Sequence, residues 1–159
     1  MDSKLTLFSQ IISKIDRVIF KKIVKEKKTD YRNKGFDSWT HLVSMLFCHF
    51  AKSTSVRDIS NGLRSATGNL NHLGIKTAPS KSSISYQNGK RDADLFKDLY
   101  FKLLEQLGQH TKERRIKLKI KVPVYLLDST LISLCLSLFD WATYRTKKGA
   151  VKMHTLLEY

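Results

Sequence analysis

One carboxylate in this chain stands where a carboxylate needs a reason. Val122 to Leu127 is a nearly continuous apolar run, and Asp128 follows it directly, ahead of Ser129 and Thr130. Burying a carboxylate without a partner is expensive. Two roles fit the spacing. Asp128 either caps a turn at a strand end through Ser129 or Thr130, or it ligates a divalent metal. Mg²⁺ prefers hard oxygen ligands and often takes one or two carboxylates together with phosphate oxygens. On the first strand of a sheet, such a carboxylate serves two-metal phosphoryl chemistry, in which the metals activate the attacking oxygen and stabilise the leaving one. Cations lie close by in sequence. Arg145, Lys147, Lys148 and Lys152 suit phosphate contacts, although a solvated basic turn has the same composition. Arg57, Lys81 and Lys90 flank two short helices and are candidates of the same kind. His41 and His49 have no carboxylate or cysteine pair at metal spacing and read as ordinary helix histidines.

The whole composition agrees with a polyanionic partner. Across 159 residues, 29 Lys and Arg face 14 Asp and Glu, a net charge of +15 that points to nucleic acid. Hydrophobic residues make up 42%, enough for a folded core, so wholesale disorder is excluded. No apolar run approaches the ~20 residues that span a bilayer, and the N-terminus lacks a signal-peptide pattern. Cys48 and Cys135 stand far apart in apolar surroundings, as reduced thiols of an intracellular protein do. A cytoplasmic, nucleoid-associated protein without membrane contact is expected.

Periodicity supplies the elements that must position these groups. Phe8, Ile11, Ile12, Ile15, Val18, Ile19 and Ile23 recur at helical spacing and predict one amphipathic helix over 4–25. Its end is basic: from Lys14 to Lys34, nine Lys and Arg face three Asp and Glu. Lysines there suit either a helix C-terminus or DNA. Asp37 or Ser38 caps a second helix over 39–52, which buries Trp39, Leu42, Val43, Leu46, Phe47 and Phe50. Ser55 and Asp58 form a capping box for a short helix over 55–64. A polar loop over 65–79 is anchored by Leu70, Leu73 and Ile75, and Ser80 or Ser82 opens a helix ending near Lys90. The two short helices are either a helix-turn-helix-like unit with a long connection or plain packing helices. A stronger helix starts at Asp92 or Ala93 and runs to Gly108, with an apolar stripe from Leu95 to Leu107. Six cations against one acid in 109–121 mark a change of composition, and the period then falls from 3.6 to 2. Strands are predicted over 122–127, buried on both faces, 131–138 and 150–157, as an antiparallel meander. The last strand meets the chain end at Tyr159, so an unpaired edge and an incomplete domain are expected.

At this point the chain resembles a known family. Val124-Tyr125-Leu126-Leu127-Asp128-Ser129-Thr130, Ile132-x-Leu134-Cys135-Leu136-Ser137, Phe139-x-Trp141-Ala142-x-Tyr144-Arg145 and Lys148 to Leu157 are similar to bacterial transposases of insertion-sequence family four. Phe8 to Ile23, Trp39 to Phe50, Ser55 to Ile59, and His72 to Ile75 with Ser80 to Asp92 resemble the helical N-terminal region of that family. The resemblance covers essentially the whole chain and is most specific over 124–157. It implies an α+β chain with three parts. Residues 1–110 form an all-α DNA-binding region, 111–121 a basic linker, and 122–159 the opening strands of a ribonuclease-H-like α/β domain. It also implies an Asp-Asp-Glu triad binding two Mg²⁺, with Asp128 as the first Asp and a metal ligand. The second Asp and the Tyr-Arg-Glu-Lys signature that carries the Glu do not occur in this sequence, and Glu158 is too close to Asp128 to stand for either. The implied function is transposition by Mg-dependent cleavage and strand transfer at element ends. This chain would be a truncated version that binds the terminal repeats as double-stranded DNA, self-associates, and is inactive alone. A non-catalytic regulator or inhibitor derived from a transposase is the alternative.

Overall fold

A computed structural model describes residues 2–66, 70–112, 125–134, 143–144 and 148–158. The described chain is α+β. Six α-helices come first: α1 (Asp2–Ser13), α2 (Arg17–Lys27), α3 (Ser38–Phe50), α4 (Val56–Ser65), α5 (Lys81–Lys90) and α6 (Asp94–Lys112). A 3-10 turn over Leu70–Leu73 lies between α4 and α5. Three strands follow: β1 (Tyr125–Leu134), β2 (Thr143–Tyr144) and β3 (Lys148–Glu158).

Where periodicity predicts one helix over 4–25, there are two. Asp16 decides this. Its carboxylate accepts hydrogen bonds from the Val18 and Ile19 amides at 2.7 and 3.3 Å, satisfying donors that open a new helix. The break also changes the buried face. Phe20 and Ile23 enter the core, while Val18 is 77% exposed. The remaining caps follow the sequence. The Asp37 carboxylate accepts from the Thr40 amide, Ser55 Oγ from the Asp58 amide, and Ser80 Oγ from the Ser83 amide. Asp58 completes its box by accepting from Thr54 N and Thr54 Oγ1.

One hydrophobic core joins the helices. Phe8, Ile12, Phe20, Trp39, Val43, Ile59, Leu63, Leu73, Ile75, Ile84, Leu95 and Leu99 all contribute to it. α2 packs on α6, α4 on both α3 and α5, and α1 on the 3-10 turn. Gly62 lets α4 approach α3 closely, since a Cβ there would lie 2.6 Å from Phe47 Cε1. Leu73 and Ile75 anchor the polar loop as predicted. Phe50, predicted to be buried, is exposed, and so are Tyr100, Leu104 and Leu107 on the α6 stripe.

Inside the helical region sits a polar knot. Asp30 Oδ1 accepts from Ser38 N and Ser38 Oγ, both at 2.8 Å, and faces Arg91 Nη2 at 3.4 Å. Arg91 also donates to the carbonyls of Phe36 at 3.0 Å and Asp37 at 3.2 Å. Its guanidinium ties the α5–α6 junction to the loop before α3. A second clamp joins α2 to the turn at Gly74. Trp39 Nε1 donates to Leu73 O at 2.8 Å, and the Arg17 guanidinium lies 4.6 Å above the Trp39 ring.

The sheet departs from the predicted meander. β1 is one strand running through Asp128, without a turn there. It pairs antiparallel with β3 from Tyr125↔Glu158 to Leu134↔Gly149, and β2 pairs on the other side of β3, giving the order β1-β3-β2. Ser129 and Thr130 accept extended backbone, and the β-branched Thr130 and Ile132 favour it. The first strand is also not buried on both faces. Leu127 is 74% exposed, and Tyr125 and Leu131 are more than half exposed. Residues 122–124 and 135–138 of the predicted strands lie outside the described residues.

Candidate functional site

Asp128 lies in the middle of β1, across from Thr155. Its side chain is exposed, and Thr130 Oγ1 donates to Oδ2 at 2.6 Å. Residues two apart on a strand share a face, so this bond lies on the surface of the sheet and caps no turn. The same face carries Ile132, Val151, Met153 and Thr155. Asp128 is its acid among the residues whose side chains are described. Among the described residues, no three His, Cys, Asp or Glu side chains gather as a metal-holding group. Glu158 pairs with Tyr125 at the far end of the hairpin.

The basic candidates fall in two places. Lys152 is exposed on β3 opposite Leu131, and Lys148 opens β3 opposite Tyr144. Arg145 and Lys147, like Cys135 and Trp141, lie outside the described residues. The others belong to the α4–α5 pair. Arg57 is exposed in the first turn of α4, and Lys81 and Lys90 are exposed at the two ends of α5. Lys90 Nζ donates to the Tyr86 hydroxyl at 3.0 Å and lies 5.2 Å from the Tyr86 ring centre. The structure therefore brings α4 and α5 together with cations on the outside.

Other charges of the basic N-terminal stretch do structural work. Lys25 and Lys27 occupy the last turn of α2, where cations offset the negative helix end. Lys27 also meets Asp98 of α6 at 3.0 Å, and this hydrogen bond raises its pKa. Hydrogen bonds from Ser55 and Thr54 lower the pKa of Asp58, so it holds its charge in the first turn of α4. His41 is buried between the rings of Phe36 and Phe96, at 5.5 and 5.4 Å. Burial, reinforced by the nearby Arg91 charge, lowers its pKa to about 4. Asn88 favours the charged form, yet among the described residues neither ring nitrogen completes a hydrogen bond of full geometry. His41 is a core residue, as the absence of ligand spacing suggests, and His49 is exposed.

Residue-by-residue prediction from the cations missed the rest of the α5 surface. Ile84 is the buried residue of this helix, while Ser82, Ser85, Tyr86 and Gly89 face solvent with the two lysines. One signal was available: the 33 residues from Ile59 to Arg91 contain no Asp or Glu.

Comparison with known proteins reaches the first half of this surface. Residues 3–76 match DUF4372, a domain of unknown function. The match spans α1 to α4 and the 3-10 turn, and stops before α5. No curated protein and no solved structure matches the chain. Among the described residues, no helix is long and apolar enough to cross a membrane.

Proposed function

We propose that this chain is part of a DNA transposase: its helical region binds the ends of a mobile element, and β1 carries the first carboxylate of a ribonuclease-H-like centre. The observation that supports this most is Asp128, an exposed carboxylate on the first strand of an antiparallel hairpin. It lies within the segment that most resembles insertion-sequence family four. A carboxylate with one oxygen steadied by Thr130 suits a hard divalent cation. Asp128 would hold Mg²⁺ there, and the metal would supply charge stabilisation at a scissile phosphate. One carboxylate does not hold two ions, so the centre needs acids beyond those of the Asp128 face. The net charge of +15 and the cations on α4 and α5 suit a phosphate backbone.

The test is binding and nicking by the purified chain. Duplexes are taken from the DNA flanking its gene, with a shuffled duplex as control. The expected result is salt-sensitive binding that prefers a flanking duplex. If Mg²⁺ also gives nicking, Asp128→Asn should abolish it and leave binding intact. Absence of binding to any duplex at low salt would sink the proposal. Binding without cleavage favours the second reading, a non-catalytic regulator of transposition. The exposed cations of α4 and α5 suit that alternative equally, since it requires DNA binding alone.

A further inference from the structure

We infer that α5 is a base-reading helix, presenting the face made by Ser82, Ser85, Tyr86 and Gly89 to the major groove of duplex DNA. This rests on the DNA-binding reading above and adds which surface reads sequence. Several independent features of α5 converge on it.

The first is the arrangement of side chains. At 3.6 residues per turn, Lys81 and Lys90 fall about 180° apart around the helix axis. Ser82, Ser85, Tyr86 and Gly89 fill the arc between them, with Ile84 behind in the core. Small polar groups in the centre and cations at both margins match a groove whose floor is base edges and whose walls are phosphates. Serine hydroxyls donate to or accept from base edges. The Tyr86 oxygen accepts from Lys90, so its own proton is left to donate to a base or phosphate acceptor.

The second is the choice of residues. A merely solvated helix face favours strong helix formers such as Ala, Glu and Lys. This ten-residue helix carries Ser, Asn and Gly, which weaken it, and short helices are marginal to begin with. Gly89 is the sharpest case. Among the described residues, a Cβ there would meet nothing within 4 Å, so none of them requires the glycine. Its use is explained if another molecule approaches the backbone closely.

The third is electrostatic. From Ile59 to Arg91 the sequence carries five Lys and Arg and no Asp or Glu, and of these cations Arg91 is engaged with Asp30 of the loop before α3. α5 itself therefore brings no carboxylate that would repel DNA at close range.

The test compares the full chain with two variants, Gly89→Ala and the double variant Ser82→Ala/Ser85→Ala, on the flanking and shuffled duplexes. Alanine favours helix, so both variants should fold, and Gly89→Ala should raise Tm. Both should lose about tenfold or more of the preference for the flanking duplex, as expected for lost base contacts, with shuffled-duplex affinity unchanged. A glycine that matters only to the fold would not combine higher Tm with lower preference. If the wild-type chain prefers the flanking duplex and the variants keep that preference, the inference fails while the DNA-binding reading stands. Equal loss on both duplexes would make α5 a phosphate surface and also overturn it. Tighter binding to an RNA duplex of the same sequence would do so too, because the A-form major groove does not admit a helix. If the wild-type chain binds neither DNA duplex, the underlying reading falls as well.

Discussion

At the scale of single residues, His41 is the group whose chemistry is most changed by the fold. Its pKa is about 4 when folded and 6.5 in an ordinary environment. Between these values the unfolded chain binds a proton that the folded chain refuses. Stability from neutral His41 is therefore complete above pH 6.5 and is lost as pH falls toward 4. The full effect is on the order of 3 kcal/mol. Denaturant titrations at pH 7.5 and pH 5 should reveal the loss, and His41→Leu should remove it, since an apolar side chain suits the site between the Phe36 and Phe96 rings and does not titrate. Arg91 is different, because its planar donors serve three acceptors at once. Arg91→Lys keeps the charge but not the fork, and should cost about 2 kcal/mol in the same titration.

At the scale of elements, α5 is held in the core by one buried side chain. Ile84 is fully buried and is the buried anchor of the helix, although the carbonyl of Pro79 just before it also accepts from Ser60 Oγ at 2.8 Å. Truncation by Ile84→Ala should cost about 3 kcal/mol by urea unfolding and loosen α5 preferentially. Hydrogen exchange should then rise over Lys81–Lys90 before it rises in α3. The α4 cap offers a milder lesion: Ser55→Ala removes the acceptor for the Asp58 amide and should lower stability by about 1 kcal/mol. Element identities were mostly legible beforehand, because caps and apolar periods act over a few residues. Asp37, Ser55 and Ser80 start helices where short polar side chains precede apolar repeats. The single helix predicted over 4–25 failed at Asp16. Its apolar period continues across the break, and only the cap geometry reveals that the axis changes.

At the scale of the whole molecule, the excess of cations becomes a binding prediction. If Arg57, Lys81 and Lys90 meet phosphates, each neutral substitution should reduce the slope of log affinity against log salt by about 0.9. Lys27→Gln should leave the slope unchanged and lower Tm slightly, because Lys27 is engaged with Asp98. Charge counting treats these lysines alike, and packing separates them. The same holds for the apolar residues. Leu104, Leu107 and Phe50 continue helical stripes yet remain exposed, because a stripe shows which residues share a face and not how far the neighbouring helix extends along it.

The sequence alone determined the class of this protein: a basic α+β chain with capped helices first and extended segments last. These are properties of composition and of spacing over a few residues, so they need no knowledge of distant contacts. Tertiary structure decided the rest. It joined Arg91 to Asp30 across 61 positions, seated α5 on α3 and α4 with its serines outward, and ran β1 straight through Asp128 by pairing it with β3. Those outcomes depend on which surfaces meet in space. Burial and cross-strand register are set by partners remote in sequence, and local pattern carries no record of them.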